Sequence, residues 1–505
     1  MNETAHRTRR IARNTLMLYI RMFALMLIGL YASRVVLAAL GENDFGIYNV
    51  VGGVVAMFTI ISGALNSAVQ RFITFELGKS SGADISKVYS TAVIIQALIA
   101  LAVVAIAEPA GLWFIDNEMT IDPSRIPAAR MVLHFSLFAF VVNLMSVPQM
   151  AMITAHEHMS AYAWIGVMDG GLRLLVALVI AHSSSDRLVV YAALMAGVVL
   201  LVRMAYGIYC RVCFKDCRFI PVLDGPLLKE MFSFAGWNFI GVTSGVLRDH
   251  GGNILVNLFS GPAVNAARGV AVQLNGAVQG FVTNFMTAVN PQITKSYACG
   301  EREYMFSLVR KSSRLSFCLL YVLSLPVIFN AEYLLGIWLK EVPVHAPLFV
   351  QLFLVFALSE SMANPMITAM LATGKIRTYQ IVVGGLQLLN LPVSYVCLKC
   401  GAIPEITVVV AIVISQVCLW ARLLMLNRQT GFPVWTFVKD VCFRIVALVC
   451  MSVWLPAVVQ FIRPDGFGGF VLSASLCVVA GILSVCFVGL GHEERIWVLN
   501  KLRRR

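Results

Sequence analysis

The chain has 505 residues, of which 59% are hydrophobic and only 13% charged, and its mean hydropathy is +0.81. A soluble globular protein carries roughly 25% charged residues, so a water-solvated domain is excluded as the whole of this chain. The formal charge of +13 would suit nucleic acid if it were gathered on one face; it is spread instead over short connections between apolar stretches, and no nucleic-acid partner is expected.

The N-terminus, "MNETAHRTRRIARNTLMLYI", has the basic flank of a signal peptide. Its apolar stretch is too long for a cleavable segment and no small-residue cleavage site follows, so it reads as a retained first membrane helix. Fourteen apolar segments follow one another at 11–39, 45–68, 88–108, 126–154, 159–181, 188–212, 230–258, 265–292, 308–330, 344–372, 376–398, 403–427, 437–461 and 468–490. Each reaches or exceeds the ~20 residues that cross hydrocarbon, and the longer ones tilt or project. With the N-terminus on the cytoplasmic side, 25 Lys and Arg fall in the inner connections and the helix ends that adjoin them, and 5 in the outer connections. Basic loops stay inside, so that asymmetry predicts cytoplasmic N- and C-termini, the latter in "NKLRRR". It also accounts for the net charge through anionic inner-leaflet lipid. The connections are too short to fold as separate domains. Twelve cysteines lie mostly inside apolar runs as small packing residues, and the cluster Cys210, Cys213, Cys217 lacks a second group of ligands, so neither metal nor cofactor is expected.

An internal repeat organises these segments. At an offset of 220, Gly41 falls on Gly261, Gly46 on Ala266 and Thr74 on Thr294. At 217, Pro148 falls on Pro365 and Tyr162 on Tyr379. Six helices per half makes the halves parallel copies about an axis normal to the membrane. The predicted architecture is an all-α polytopic membrane protein of about 14 transmembrane helices. Two pseudo-symmetric six-helix lobes, 1–215 and 216–430, precede two extra helices and a basic tail at 431–505. Two such lobes facing a cavity is the layout of an alternating-access transporter.

The stretch "RVVLAALGENDFGIYNV" places Arg34 late in the first helix, then Leu40-Gly41, the turn Glu42-Asn43-Asp44 and Phe45-Gly46. With "NSAVQRF" (66–72), "NPQIT" (290–294), "AEYLLGIWL" (331–339) and "NPMITAMLATGKIRTYQ" (364–380), it resembles the Wzx-like polysaccharide and O-antigen flippases of the MOP, or MATE-like, exporter superfamily, over essentially the whole chain. The resemblance implies movement of an undecaprenyl-diphosphate-linked glycan from the cytoplasmic to the periplasmic leaflet of the bacterial inner membrane. Membrane lipids and other polysaccharide-export proteins are the partners it implies.

The nine basic residues that remain, deeper within the segments, are all arginine. At a helix centre each costs about 2.5–3.5 kcal/mol to insert, so each needs a partner or a wet cavity. Arg130, Arg203, Arg422 and Arg444 lie near helix ends, where their stems are expected to snorkel. Arg21, Arg34 and Arg268 either snorkel or line a cavity. Arg173 has Asp169 one turn earlier on the same face, forming either a buried ion pair or part of a cavity. Arg248 stands in "GVLRDHGGN" beside Asp249, where three ionisable residues in a row cannot all face lipid. A guanidinium holds phosphate oxygens through paired donors and keeps its charge at any working pH, which makes Arg21, Arg34, Arg173, Arg248 and Arg268 the candidate head-group residues. Asp169, Asp249 and Glu360 are the intramembrane acids, suited to H⁺ or Na⁺ coupling or to pairing with arginine. Pro148 and Pro365, at matching points of both halves, are candidate hinges.

The expectation is therefore a transporter without covalent chemistry. A multidrug or organic-cation antiporter of the same architecture is the alternative, although nine arginines to three acids disfavours a cation site. A pathway polymerase or ligase would need a sizeable outer loop or a catalytic constellation, and neither is visible.

Overall fold

The computed structural model describes residues 2–79, 84–119, 121–180, 182–183, 185–220, 224–339, 342–462, 466–491 and 495; the basic tail around "NKLRRR" lies outside them. Every regular element among the described residues is helical. In chain order these are α1 (Asn2–Ala56), α2 (Thr59–Gly78), α3 (Ile85–Asn117), α4 (Ile126–Ala155), α5 (Met159–Ile180), α6 (Arg187–Cys213), α7 (Gly225–Ala298) and α8 (Arg302–Phe329). Then come α9 (Ala331–Trp338), α10 (Ala346–Ala372), α11 (Arg377–Leu388), α12 (Asn390–Lys399), α13 (Ile406–Thr430), α14 (Val434–Phe437), α15 (Arg444–Ile462) and α16 (Phe467–Ser484). The all-α fold expected from the sequence is present. Eleven helical spans among the described residues are long and apolar enough to cross a membrane, and the protein is a multi-pass membrane protein. The segment 45–68 is helical on both sides of a turn at Met57 and Phe58, and 230–258 and 265–292 are helical, but all three fall outside those eleven. The last two hold Arg248, Asp249 and Arg268, whose charge lowers their hydropathy.

Two long helices are each broken once, and glycine is the reason. Gly41 divides α1 with φ 77°, ψ 170°, and Gly261 divides α7 with φ 80°, ψ 176°. That corner of dihedral space clashes with any Cβ and is essentially reserved for glycine. The two positions are the 220-residue repeat pair, and they share one backbone conformation. The 217-residue offset also has a backbone signature. Glu157, between α4 and α5, has φ 61°, the one positive-φ non-glycine among the described residues, and its counterpart is Gly374 with φ 76°. Glu157 is held there by Arg10, whose Nε lies 3.0 Å from its Oε2, and by Asn14 Nδ2, which donates to its carbonyl.

The chain forms two compact units, Met1–Val242 and Thr243–Arg505. In the first, α5 packs on α1 and α6, and α4 packs on α2, α3 and α6. Close approach of α1 to α5 is allowed by Gly166 and Gly170, four residues apart on one face of α5. A Cβ on Gly166 would collide with the Arg21 side chain, and one on Gly170 with Leu25. The connection after α6 folds back on α3: Ser86 Oγ donates to the Asp216 carbonyl (2.8 Å), Ser90 Oγ accepts from the Ile220 amide (2.8 Å), and Lys87 Nζ meets Asp224 Oδ2 at 2.8 Å. Asp224 also caps α7 by accepting from the Leu227 amide. Lys87 and that amide together hold the Asp224 carboxyl below the usual carboxylate range.

In the second unit α10 lies at the centre, against α8, α9 and α13, over a core of Phe349, Val350, Phe353, Leu354 and Phe356. α13 shows how these helices meet lipid. Val413, Val417, Trp420 and Leu424 form an exposed stripe at helical spacing, while Cys418, Leu419, Arg422 and Leu426 are buried opposite.

Candidate functional site

α7 carries Arg248 into a cavity of about 110 Å³ inside the second unit. Gln279 and Thr283 reach the cavity from the stretch of α7 after its break, four residues apart and so on one face. Phe356, Glu360 and Asn364 reach it from α10 at the same spacing. A water needs roughly 10–15 Å³ by such a measure, so the cavity has room for several waters or a small anion. Arg248 Nε donates to Asp249 Oδ1 at 2.9 Å, and the guanidinium lies 4.8 Å from the Phe356 ring centroid. Its side chain is 14% exposed while that of Asp249 is 62% exposed. Arg248 is thus held against the cavity wall, and the carboxylate beside it stands outside the packed core.

Two further arginines belong to this cluster. Arg268 is 5% exposed; its Nη1 bonds Asn253 Oδ1, its Nη2 donates to the Asp249 carbonyl at 3.2 Å, and it lies 5.3 Å from the Phe353 ring centroid. Snorkelling is therefore not its role. Gly252 makes room for it, since a Cβ there would press on the guanidinium. Arg422 corrects the sequence reading outright. Expected to snorkel from a helix end, it is 1% exposed, beside Tyr379 and 3.9 Å from Glu360 Oε1. The α13 stripe was the missed signal, because the face opposite four lipid-facing residues must turn inward. Glu360, whose role the sequence left open, stands between Arg422 and the cavity that Arg248 lines. Three arginines against Asp249 and Glu360 leave one positive charge in surplus, which suits an anion.

The first unit has its own cavity, of about 380 Å³, between α1, α5 and α6. Asp169 and Arg173 line it, joined by a 2.8 Å bond from Arg173 Nε to Asp169 Oδ1, as their spacing predicts. Tyr48 and Asn49 come from α1 beyond its break, and Tyr191 from α6. Arg21 lies along Gly166 with its guanidinium 4.4 Å from the Tyr162 ring centroid. Arg34 is exposed and has no ion pair among the described residues. Arg71, which the sequence placed in an inner loop, is 8% exposed on α2, 4.5 Å and 4.7 Å from the Phe72 and Phe75 ring centroids. Pro148 and Pro365 are both buried inside continuous helices. No group of three or more His, Cys, Asp or Glu suited to a metal is found among the described residues.

No family model matches the sequence and no curated protein matches it. Solved structures do match. A MATE protein in the bent conformation superposes with a TM-score of 0.71 at 11% identity, covering 84% of this chain and 96% of that one. A MOP superfamily transporter from Pyrococcus furiosus, described as having a binding pocket of reverse polarity that suggests a different function, gives 0.69 at 10% identity, with 83% and 96% covered. The Vibrio cholerae MATE transporter VcmN in its bent form gives 0.66 at 15% identity, with 86% and 100% covered. The chain has the fold of the MATE-type transporters of the MOP superfamily.

Proposed function

We propose that the protein is a transporter that moves a lipid-diphosphate-linked oligosaccharide, a polysaccharide or O-antigen precursor, from the cytoplasmic to the periplasmic leaflet by alternating access. The observation that carries this reading is the Arg248 cavity. Arginine rather than lysine lines it, on a helix inside an apolar bundle, with a surplus of positive charge and with Arg268 and Arg422 behind it. A diphosphate excluded from hydrocarbon needs such a chamber. Several guanidiniums supply donors without losing charge when desolvated, and several moderate contacts release cargo more readily than one tight one. Arg21 and Arg34 in the first unit are available to guide the head group, Asp249 and Glu360 to couple its movement to a cation, and Pro148 and Pro365 to serve as hinges. The exposed Asp249 and His250 support a wet face on α7, because neither is tolerated against acyl chains.

The test is complementation of glycan export in a strain lacking its own flippase. Arg248→Ala should lose export by at least tenfold while membrane insertion is unchanged, and Arg248→Lys should recover part of it, since an ammonium keeps the charge but not the paired donors. Full export by Arg248→Ala sinks the reading. A multidrug or organic-cation antiporter is the second reading, favoured by the MATE neighbours. It requires the carboxylates to do the binding, and predicts that Glu360→Gln abolishes efflux of cationic dyes that the chain otherwise confers on a susceptible host.

A further inference from the structure

The cavity of the first unit has a chemistry of its own. At about 380 Å³ it falls in the ~300–1,000 Å³ range of small-ligand pockets, whose walls are mostly apolar with a few placed polar groups. Leu25, Ile28, Val36 and Met195 make the apolar wall. Tyr48 and Tyr191 meet edge to face with centroids 4.7 Å apart. Tyr191 is 8% exposed as a residue, but its hydroxyl is not closed off from the cavity, and neither it nor that of Tyr48 makes a hydrogen bond among the described residues. A buried tyrosine hydroxyl ordinarily finds one. Arg173 gives only its Nε to Asp169, so four of its five N–H donors are unspent, as is the second carboxylate oxygen of Asp169. Both side chains keep partial exposure, 40% and 29%.

These groups together narrow the ligand. The ion pair is neutral as a unit, and Asp169 repels phosphate, so this is a poor head-group site. An acyl chain would leave every polar atom unmatched, which costs a few kcal/mol for each buried group. A pyranose ring fits both walls: its C–H faces are apolar and lie against tyrosine rings, while its rim of neighbouring hydroxyls both donates to a carboxylate and accepts from a guanidinium. We infer that the Tyr48–Tyr191–Asp169–Arg173 pocket is a sugar subsite that recognises a neutral pyranose of the cargo, resting on the oligosaccharide-transport reading for the identity of that cargo. Specificity for the glycan then resides in the first unit, on residues separate from those proposed to hold phosphate.

The experiment is saturation-transfer NMR on the full-length protein in lipid nanodiscs, with empty nanodiscs subtracted. The probes are the methyl glycosides of glucose, galactose, N-acetylglucosamine and rhamnose, with hexanoate as the apolar comparator. At least one glycoside should show transfer to its ring C–H protons. Tyr191→Phe should weaken that binding roughly five- to tenfold, the effect of one lost hydrogen bond, and Tyr191→Ala or Asp169→Asn should remove it. Transfer to hexanoate alone, or to no glycoside, overturns the assignment, as does undiminished binding in a folded Tyr191→Ala protein. The transport reading is scored separately by export in cells carrying Arg248→Ala. Export lost there with no ring signal refutes the sugar subsite alone, and export intact with a ring signal refutes the head-group chamber alone.

Discussion

Arginine 422 and glutamate 360 sit 3.9 Å apart, but their surroundings differ. The Arg422 side chain is 2% exposed and that of Glu360 is 20% exposed beside the cavity. Removing the acid strands a buried cation with no other carboxylate beside it among the described residues. Removing the arginine leaves an acid that still faces the cavity, with Arg248 across the same space. Breaking a buried pair from one side costs about 3–5 kcal/mol, chiefly as the penalty on the charge left behind, and an apolar replacement of similar volume avoids it. Glu360→Gln is therefore expected to lower the thermal unfolding midpoint in detergent clearly, and Arg422→Met to lower it much less. Equal losses, or the reverse order, would show that Arg422 is not held by Glu360. The same reasoning explains what was hidden in the sequence. Distance from a helix end suggested an escape to water for Arg422, whereas the lipid-facing stripe on the other side of α13 decides its direction. Arg173 was legible because its partner Asp169 lies one turn away on its own helix.

At the level of helices, the breaks in α1 and α7 turn on single residues. Space is not the constraint at Gly261, since an added Cβ would meet no atom within 4 Å; the backbone angle is. Gly261→Ala should therefore destabilise by about 1–3 kcal/mol through conformation alone, seen as a lower unfolding midpoint, and Gly41→Ala likewise. Gly46 is the control. It also has open space but ordinary helical angles, so alanine there should be neutral or stabilise by a few tenths of a kcal/mol through helix propensity, roughly up to 1 kcal/mol. A stable Gly261→Ala protein would mean that the break shifts to a neighbouring residue at no cost. Turns of this kind were visible as short polar-and-glycine connections in the sequence. That α1 and α7 run on as helix on both sides of them was not, because a break confined to one residue leaves no gap in the apolar pattern.

Across the whole chain, positions paired by the two offsets share backbone features while their side chains differ. Gly41 and Gly261 share their dihedral angles, and Glu157 occupies the left-handed position that its counterpart gives to Gly374. Tyr48 lines an aromatic pocket, while Arg268, 220 residues on, buries a cation beneath Asp249. This is why the helical architecture and the offset could be read from the residues whereas the cavities could not: periodicity reports burial and breaks, and a cavity is a product of which side chains meet. Crossing number is where the two readings part, fourteen apolar segments in the sequence against eleven helical spans apolar enough to cross among the described residues. Exposed cysteines discriminate the two counts. Cys213 is the last residue of α6, Cys299 follows α7, and Cys400 follows α12, and all three are exposed. If the segments 45–68, 230–258 and 265–292 also cross, and the N-terminus is cytoplasmic, Cys213 and Cys299 face the cytoplasm and Cys400 the periplasm. If only the eleven cross, every one of these assignments inverts, because an odd number of crossings is lost before each of the three. Single-cysteine variants labelled from the periplasmic side with a membrane-impermeant maleimide should therefore react at Cys400 and stay protected at Cys213 and Cys299 until the membrane is permeabilised. Labelling at Cys213 and Cys299 with Cys400 protected would remove the fourteen-crossing topology, and with it the parallel six-helix halves on which the proposed alternating access depends.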